Sequence, residues 1–315
     1  MSALLGPATE AMKAGGSPLG ALVDSGFVKA LLPVPALALV LPFLWLLFRK
    51  SWAAIDKEGH EERAKFVEAG RLDLRPAVAL ILTAVVLTMH DYYGGRAVYN
   101  DAIRPFLERR QAAGWSFIKL ETYDSLWSYG WWSFARVAGY VLVPLPVYKL
   151  LFRKESLLDL GFRVRGIKQH LWLYGASLAL VIVCTFVVAR APDFAAYYPF
   201  YKLAGRSRFD LLAWEAMYFA QFFALEIFFR GFLLSAMRSL GATAIVVMCV
   251  PYCMIHYGKP YLEANGAILA GIFLGSLAMR AKSIYGGFVV HVTVALGMDL
   301  LALHHRGGLP KQWFP

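Results

Sequence analysis

The chain has 315 residues, of which 59% are hydrophobic and only 17% charged, whereas a soluble domain carries about 25% charged residues. Mean hydropathy is +0.53 and the apolar residues arrive in long blocks, which excludes an ordinary soluble enzyme. A net charge of +11 would suggest nucleic acid in a soluble domain, but here the basic residues flank the apolar blocks and no basic helix is visible. The expected partner is therefore the lipid bilayer with its anionic head groups, and no nucleic acid.

The fold class expected is all-α, a polytopic integral membrane bundle of about eight transmembrane helices. Met1–Gly26 lacks the charged, apolar and small-residue order of a cleaved signal peptide, so a flexible or interfacial N-terminus and an uncleaved first span are expected. The first span is Leu31–Phe48; Pro33, Pro35 and Pro42 predict kinks in it rather than a break, and Arg49 and Lys50 close it. Ser51–Leu74, dense in both signs of charge, reads as a solvated loop, with Trp52, Ile55, Phe66 and Val67 hinting at a surface helix instead. The second span, Pro76–Met89, ends at His90 and Asp91, an ordinary hydrated helix tip. Gly94–Tyr129, with its Trp and Tyr beside Arg104, Arg109 and Arg110, suits the membrane–water interface.

The third span is Trp132–Leu151, carrying Arg136 and ending in Arg153 and Lys154, and the fourth is Leu171–Val188. A polar and aromatic connection, Arg190–Phe209, leads to the fifth span, Leu211–Leu234. The sixth (Ala244–Tyr257), seventh (Ala267–Met279) and eighth (Ile284–Leu303) follow, the sixth and seventh short enough to be shielded by protein rather than lipid. No repeat or second soluble domain is visible, so 1–315 reads as one membrane domain. The loops after the first and third spans carry the most Lys and Arg, which places them in the cytoplasm and the N-terminus outside.

Chemistry concentrates in the last third. Glu226 and Arg230 stand inside the fifth apolar run, and a charge in hydrocarbon marks a candidate functional site. Four residues apart, they share one helical face and can pair, which is also what a purely structural lock between helices would need. His256 ends the sixth span, His291 sits inside the eighth, and Asp299 lies two turns beyond it. A lone intramembrane histidine is commonly a hydrogen-bonded bridge between helices. Two histidines and a glutamate on three helices, however, can take a proton from water and return it to a leaving amine. Cys184, Cys249 and Cys253 all lie in apolar blocks. Cys249, Cys253 and His256 share a face but lack a fourth ligand, so no cofactor is expected, with zinc as the alternative.

In order, Glu226-Ile-Phe-Phe-Arg230-Gly231, Tyr252-xxx-His256, Gly271-xxx-Gly275 and Gly286-Gly287-xxx-His291 resemble the CPBP (abortive-infection) family of type II CAAX prenyl proteases and bacteriocin-processing relatives. The resemblance covers Leu211–Leu303 as a CPBP-like core; 1–205 adds membrane helices and loops of unrecognised type. It implies an intramembrane endopeptidase with a water-filled cavity, acting without metal on membrane-anchored or C-terminal peptide segments. The location implied is a bacterial-type inner (cytoplasmic) membrane. Carried onto this chain, the catalytic residues are Glu226, His256 as partner of the base and His291 as oxyanion donor, supported by Arg230, Tyr252 and Asp299.

Two positions depart from the family pattern. Leu225 stands where the family has the first, water-activating glutamate, and Ala295 where it has Asn or Asp. Either Glu226 serves as base, about 100° round the helix from position 225, or the protein is a catalytically inactive CPBP-like scaffold or partner subunit. A transporter or proton relay would use the same buried ionisable groups. Glu215, eleven residues before Glu226, is about 16 Å away and too distant to share its chemistry.

Overall fold

The computed structural model describes residues 31, 33–164, 166–190, 194–259 and 261–315. The expectations for Met1–Gly26 and for the side chain of Cys184 lie outside the described residues. All named elements are helical: α1 (Pro33–Glu68), α2 (Arg75–Tyr93), α3 (Arg104–Ala112), α4 (Leu120–Val137), α5 (Pro144–Leu151), α6 (Leu171–Val188), α7 (Arg208–Glu226), α8 (Thr243–Met254), α9 (Tyr261–Ala281) and α10 (Tyr285–His305). A π-helical turn, Ala138–Leu142, joins α4 to α5 so that Leu120–Leu151 forms one span. Among the described residues, six helices are long and apolar enough to cross a membrane. The chain is thus an integral membrane protein, but a count of eight spans is not established. At 12 residues α8 reaches only about 18 Å, against about 30 Å of hydrocarbon.

One expected loop is helix. Ser51–Glu68 continues α1 without interruption to a length of 36 residues, about 54 Å. Ala, Lys, Glu and Arg dominate this stretch and all favour the helix. Tertiary partners then fix it: the Trp52 indole donates to Ser276 Oγ at 2.9 Å. Asp56 Oδ1 accepts the Ala242 N–H at 2.7 Å. The apolar part of α1 instead presents Leu39, Phe43, Trp45 and Leu46 outward, as a lipid-facing helix should.

The bundle is organised around α7. In its most apolar stretch 72% of residues are buried, against 12% for α1 and 22% for α2, so α7 is walled by protein where the outer helices meet lipid. It packs against α4 and α10, while α8 lies along α9 and α6 along α10. Ser207 caps it, accepting the Asp210 N–H at 3.1 Å, and Arg206 and Tyr201 both donate to the Asp210 carboxylate. Beyond Glu226 the helix widens into π-helical turns over Ile227–Leu233. Phe228, Phe229 and Phe232 point from these turns into the main core with Tyr140, Tyr148 and Tyr252. Burial of such rings supplies much of the packing energy, with edge-to-face pairs such as Phe229–Tyr252, 5.5 Å between centroids, adding about 1 kcal/mol each.

At the polar end of α1 a network of charges ties four segments together. Arg75, only 2% exposed, reaches Glu62 at 2.8 Å, Asp73 at 2.7 Å and Glu155 at 2.9 Å. Arg238 closes the network on Glu62 at 2.8 Å and Glu155 at 2.9 Å. Burial pushes the Asp73 and Glu155 carboxyls up, but hydrogen bonds and charge from Arg75 and Arg238 outweigh it, so both stay below the ordinary carboxylate range. Depressed values in the fold mean stability that is complete above the unfolded value and is lost as pH falls through the folded one. Melting temperature in detergent is expected to hold from about pH 7 to about pH 5 and to fall below about pH 4. Arg238→Gln should flatten that fall, and Arg75→Ala should cost about 3 kcal/mol of unfolding free energy.

Candidate active site

Three helices and the turns that extend them bring the polar groups together: α7 ends at Glu226 and its π-helical continuation supplies Arg230, α8 supplies Tyr252 and the turn after it His256, and α10 supplies His291. Glu226 is the last residue of α7 before the π-helical turns, a local widening found mostly at functional sites. Arg230 Nη1 lies 3.1 Å from Glu226 Oε1, and neither side chain has any exposed surface. The guanidinium also rests 4.0 Å from the centre of the Tyr252 ring, a cation–π contact strengthened by the absence of water.

His291 continues the chain of contacts. Its Nδ1 is 2.7 Å from Glu226 Oε1, and a carboxylate held beside an arginine can only accept, so Nδ1 carries the proton. Nε2 then holds a lone pair and accepts the Tyr252 hydroxyl at 2.9 Å. The result is a directed series: Tyr252 donates to His291, His291 donates to Glu226, and Arg230 holds Glu226 as an anion. Phe222 stacks on the His291 ring, 5.4 Å between centroids. His291 keeps 13% of its side-chain surface open, the point at which this otherwise sealed group meets its surroundings.

His256 stands at the end of the same tyrosine. Its Nδ1 is 2.8 Å from the Tyr252 carbonyl oxygen, an acceptor only, so Nδ1 donates and Nε2 is left as the basic nitrogen. Its ring meets the Tyr252 ring edge-on at 4.8 Å. Two glycines make the assembly possible. A Cβ on Gly287 would collide with the Glu226 carboxylate, so only glycine lets α10 come this close. A Cβ on Gly271 of α9 would lie 3.1 Å from Tyr252 and 2.8 Å from Cys249 Sγ.

The remaining sequence candidates lie elsewhere. Asp299 accepts the Trp214 indole N–H at 2.6 Å and takes no part in the series around His291. Ala295 is packed with Trp214, Tyr201 and Tyr218, and Leu225 is buried with Phe228 and Phe229, so both departures from the family pattern are apolar packing positions. Glu215 is buried and its two oxygens have no hydrogen-bond partner among the described residues. Arg136 rests over Trp132 at 4.3 Å, and His90 packs edge-on against Tyr140 at 4.5 Å. Cys249 and Cys253 are 3.8 Å apart, and no group of three or more His, Cys, Asp or Glu able to hold a metal ion occurs among the described residues.

Sequence reasoning missed Tyr174 of α6, whose ring occupies the space that a side chain at Gly286 would need. The paired glycines in an apolar helix were its only signal. A cavity of about 400 Å³ lies at the polar end, walled by Ile55, Leu234, Ala278 and Arg230 with Glu58 and Lys282 among its charged groups. It stops short of Glu226, which is fully covered.

A covered ion pair has a clear mutational signature, because removing one partner leaves an uncompensated charge. Glu226→Gln and Arg230→Gln are each expected to lose about 3–5 kcal/mol of unfolding free energy. The double variant should lose much less than the sum, read as a coupling energy in a double-mutant cycle.

Residues 207–297 match the family model described as type II CAAX prenyl endopeptidase Rce1-like. The resemblance read from the motifs is thus shown for that segment, which holds every residue of the hydrogen-bonded series. No curated protein and no solved structure matches the chain.

Proposed function

We propose that the protein is a CAAX-type intramembrane peptidase that hydrolyses a peptide bond in a membrane-anchored or C-terminal peptide segment, in a bacterial-type inner membrane. The single observation that carries this reading is the bond from His291 Nδ1 to Glu226 Oε1 at 2.7 Å, within a segment that matches an endopeptidase family. A carboxylate on one imidazole nitrogen fixes the tautomer and steadies the cation that forms when the other nitrogen takes a proton. His291, which the family resemblance implies as oxyanion donor, is in this proposal the base, because its Nδ1 is held by Glu226: its Nε2 accepts a proton from water as the water oxygen attacks the peptide carbonyl carbon. The imidazolium then returns that proton to the amine nitrogen as the carbon–nitrogen bond breaks. Glu226 stays ionised throughout because Arg230 neutralises it, and His256 Nε2 supplies a second acceptor for the water. In this proposal Glu226 orients and supports the base, and the absence of a carboxylate at position 225 is tolerated.

Leu225 and the full coverage of Glu226 favour a second reading, a non-catalytic scaffold that keeps the fold. Cleavage of a lipid-anchored peptide by the purified protein in liposomes, followed by mass spectrometry, separates the two. Turnover by the wild type is expected, with losses of about 1,000-fold or more in His291→Ala and Glu226→Gln. No turnover by the wild type, or equal turnover in all three, sinks the peptidase. Activity that arises only in Leu225→Glu would establish the scaffold.

The reaction is proposed to need no cofactor. Rate and melting temperature are expected to be unchanged after exhaustive chelation; a loss of both would point to zinc.

A further inference from the structure

Any amide hydrolysis at this site needs a hydrogen-bond donor for the oxygen that becomes negative in the transition state. Few groups are free to provide it. His291 Nδ1–H is committed to Glu226, and His256 Nδ1–H to the Tyr252 carbonyl. The Arg230 guanidinium is turned to the Glu226 carboxylate at 3.1 Å and to the face of the Tyr252 ring at 4.0 Å. Position 295, one turn beyond His291, is alanine packed among aromatic rings. The remaining donor within the series is the Tyr252 hydroxyl, 2.9 Å from His291 Nε2.

We propose that Tyr252 is a catalytic residue of the peptidase reaction, its hydroxyl being the donor that stabilises the oxyanion. The inference rests on the reading of His291 as base. Base and donor are adjacent, so a water on Nε2 and a peptide oxygen on the hydroxyl would be neighbours, the near-attack arrangement that hydrolysis needs. On substrate binding the Tyr252 O–H turns from His291 to the peptide oxygen, which frees Nε2 to take the proton from water. The hydroxyl keeps its own proton throughout: it donates a hydrogen bond to the oxyanion, and the proton delivered to the leaving amine is the one His291 took from water. The position of the hydroxyl is set from three sides. Arg230 lies 4.0 Å from the ring centre, Phe229 packs edge-on at 5.5 Å, and Gly271 leaves room for the ring against α9. A tyrosine wanted only for packing would be served equally by phenylalanine, since every one of those contacts is made by the ring.

Tyr252→Phe in the full-length protein is the test, because it deletes the hydroxyl and keeps the ring contacts. It is expected to lower kcat about 100- to 1,000-fold with KM little changed and the melting temperature lowered only by the loss of one buried hydrogen bond. A phosphinate peptide, whose tetrahedral centre mimics the oxyanion, should bind the variant more weakly by a similar factor, while a non-cleavable substrate peptide binds wild type and variant alike. Ala295→Asn in the Tyr252→Phe background, offering a new donor one turn from His291, should recover part of the lost kcat. A variant with kcat within about threefold of wild type, or equal weakening for phosphinate and substrate peptide, overturns the proposal. If the wild type does not turn over yet its phosphinate affinity depends on the hydroxyl, the donor role stands and the peptidase reading falls. If phosphinate affinity is indifferent to the hydroxyl, the donor role falls whatever the turnover.

Discussion

Glu226 and Arg230 sit 3.1 Å apart with no exposed surface on either side chain, and neither charge is tolerable in that position without the other. An isolated ion moved out of water loses several kcal/mol of hydration even after relaxation. The remedy here is local, since residues four apart on one helix find each other without waiting for the rest of the fold. Because Arg230 keeps Glu226 ionised, the carboxylate can hold an imidazole from α10, and through it a hydroxyl from α8. The convergence of three helices thus follows from one pair set within a single helix. The aromatic packing around α7 then removes competing water, which strengthens each of these contacts.

The same pair explains where small residues are required. Gly287 lets α10 approach the carboxylate, and Gly271 lets α9 approach the tyrosine under the guanidinium. Larger residues at either position would push a helix outward and lengthen hydrogen bonds that lie between 2.7 and 2.9 Å. Packing and chemistry are therefore coupled: the helix spacing that buries the core also sets the separations on which proton transfer depends.

Much of this was legible in the sequence, and the reasons differ by element. Apolar blocks announce membrane helices because hydrocarbon admits no unsatisfied backbone, and each block read as a span is helical. Glu226, Arg230 and His291 stood out because charge and imidazole are costly among apolar neighbours. The extension of α1 was hidden: Ser51–Glu68 has mixed charge and little periodicity, and its partners Ser276, Ala242 and Arg238 are distant in the chain. Asp299 was misleading for a geometric reason, since eight residues from His291 on a helix amounts to about 80° of rotation, enough to face Trp214 instead. Tyr252 stood out as a supporting residue by its spacing from His256, but nothing in an apolar helix says which group its hydroxyl meets, and that partner came only with the packing of α10.

The brevity of α8 has a consequence for the helix beside it. Its 12 residues cover about 18 Å of a partner that runs for 21 residues, about 31 Å. Gly275 of α9 still meets Ile245 and Met248 of α8, but the turns beyond it find α1 instead: Trp52 donates to Ser276, and Glu58 pairs with Lys282 just past the end of α9. The charged extension of the lipid-facing α1 thus splints a hairpin whose first arm is too short to wall it.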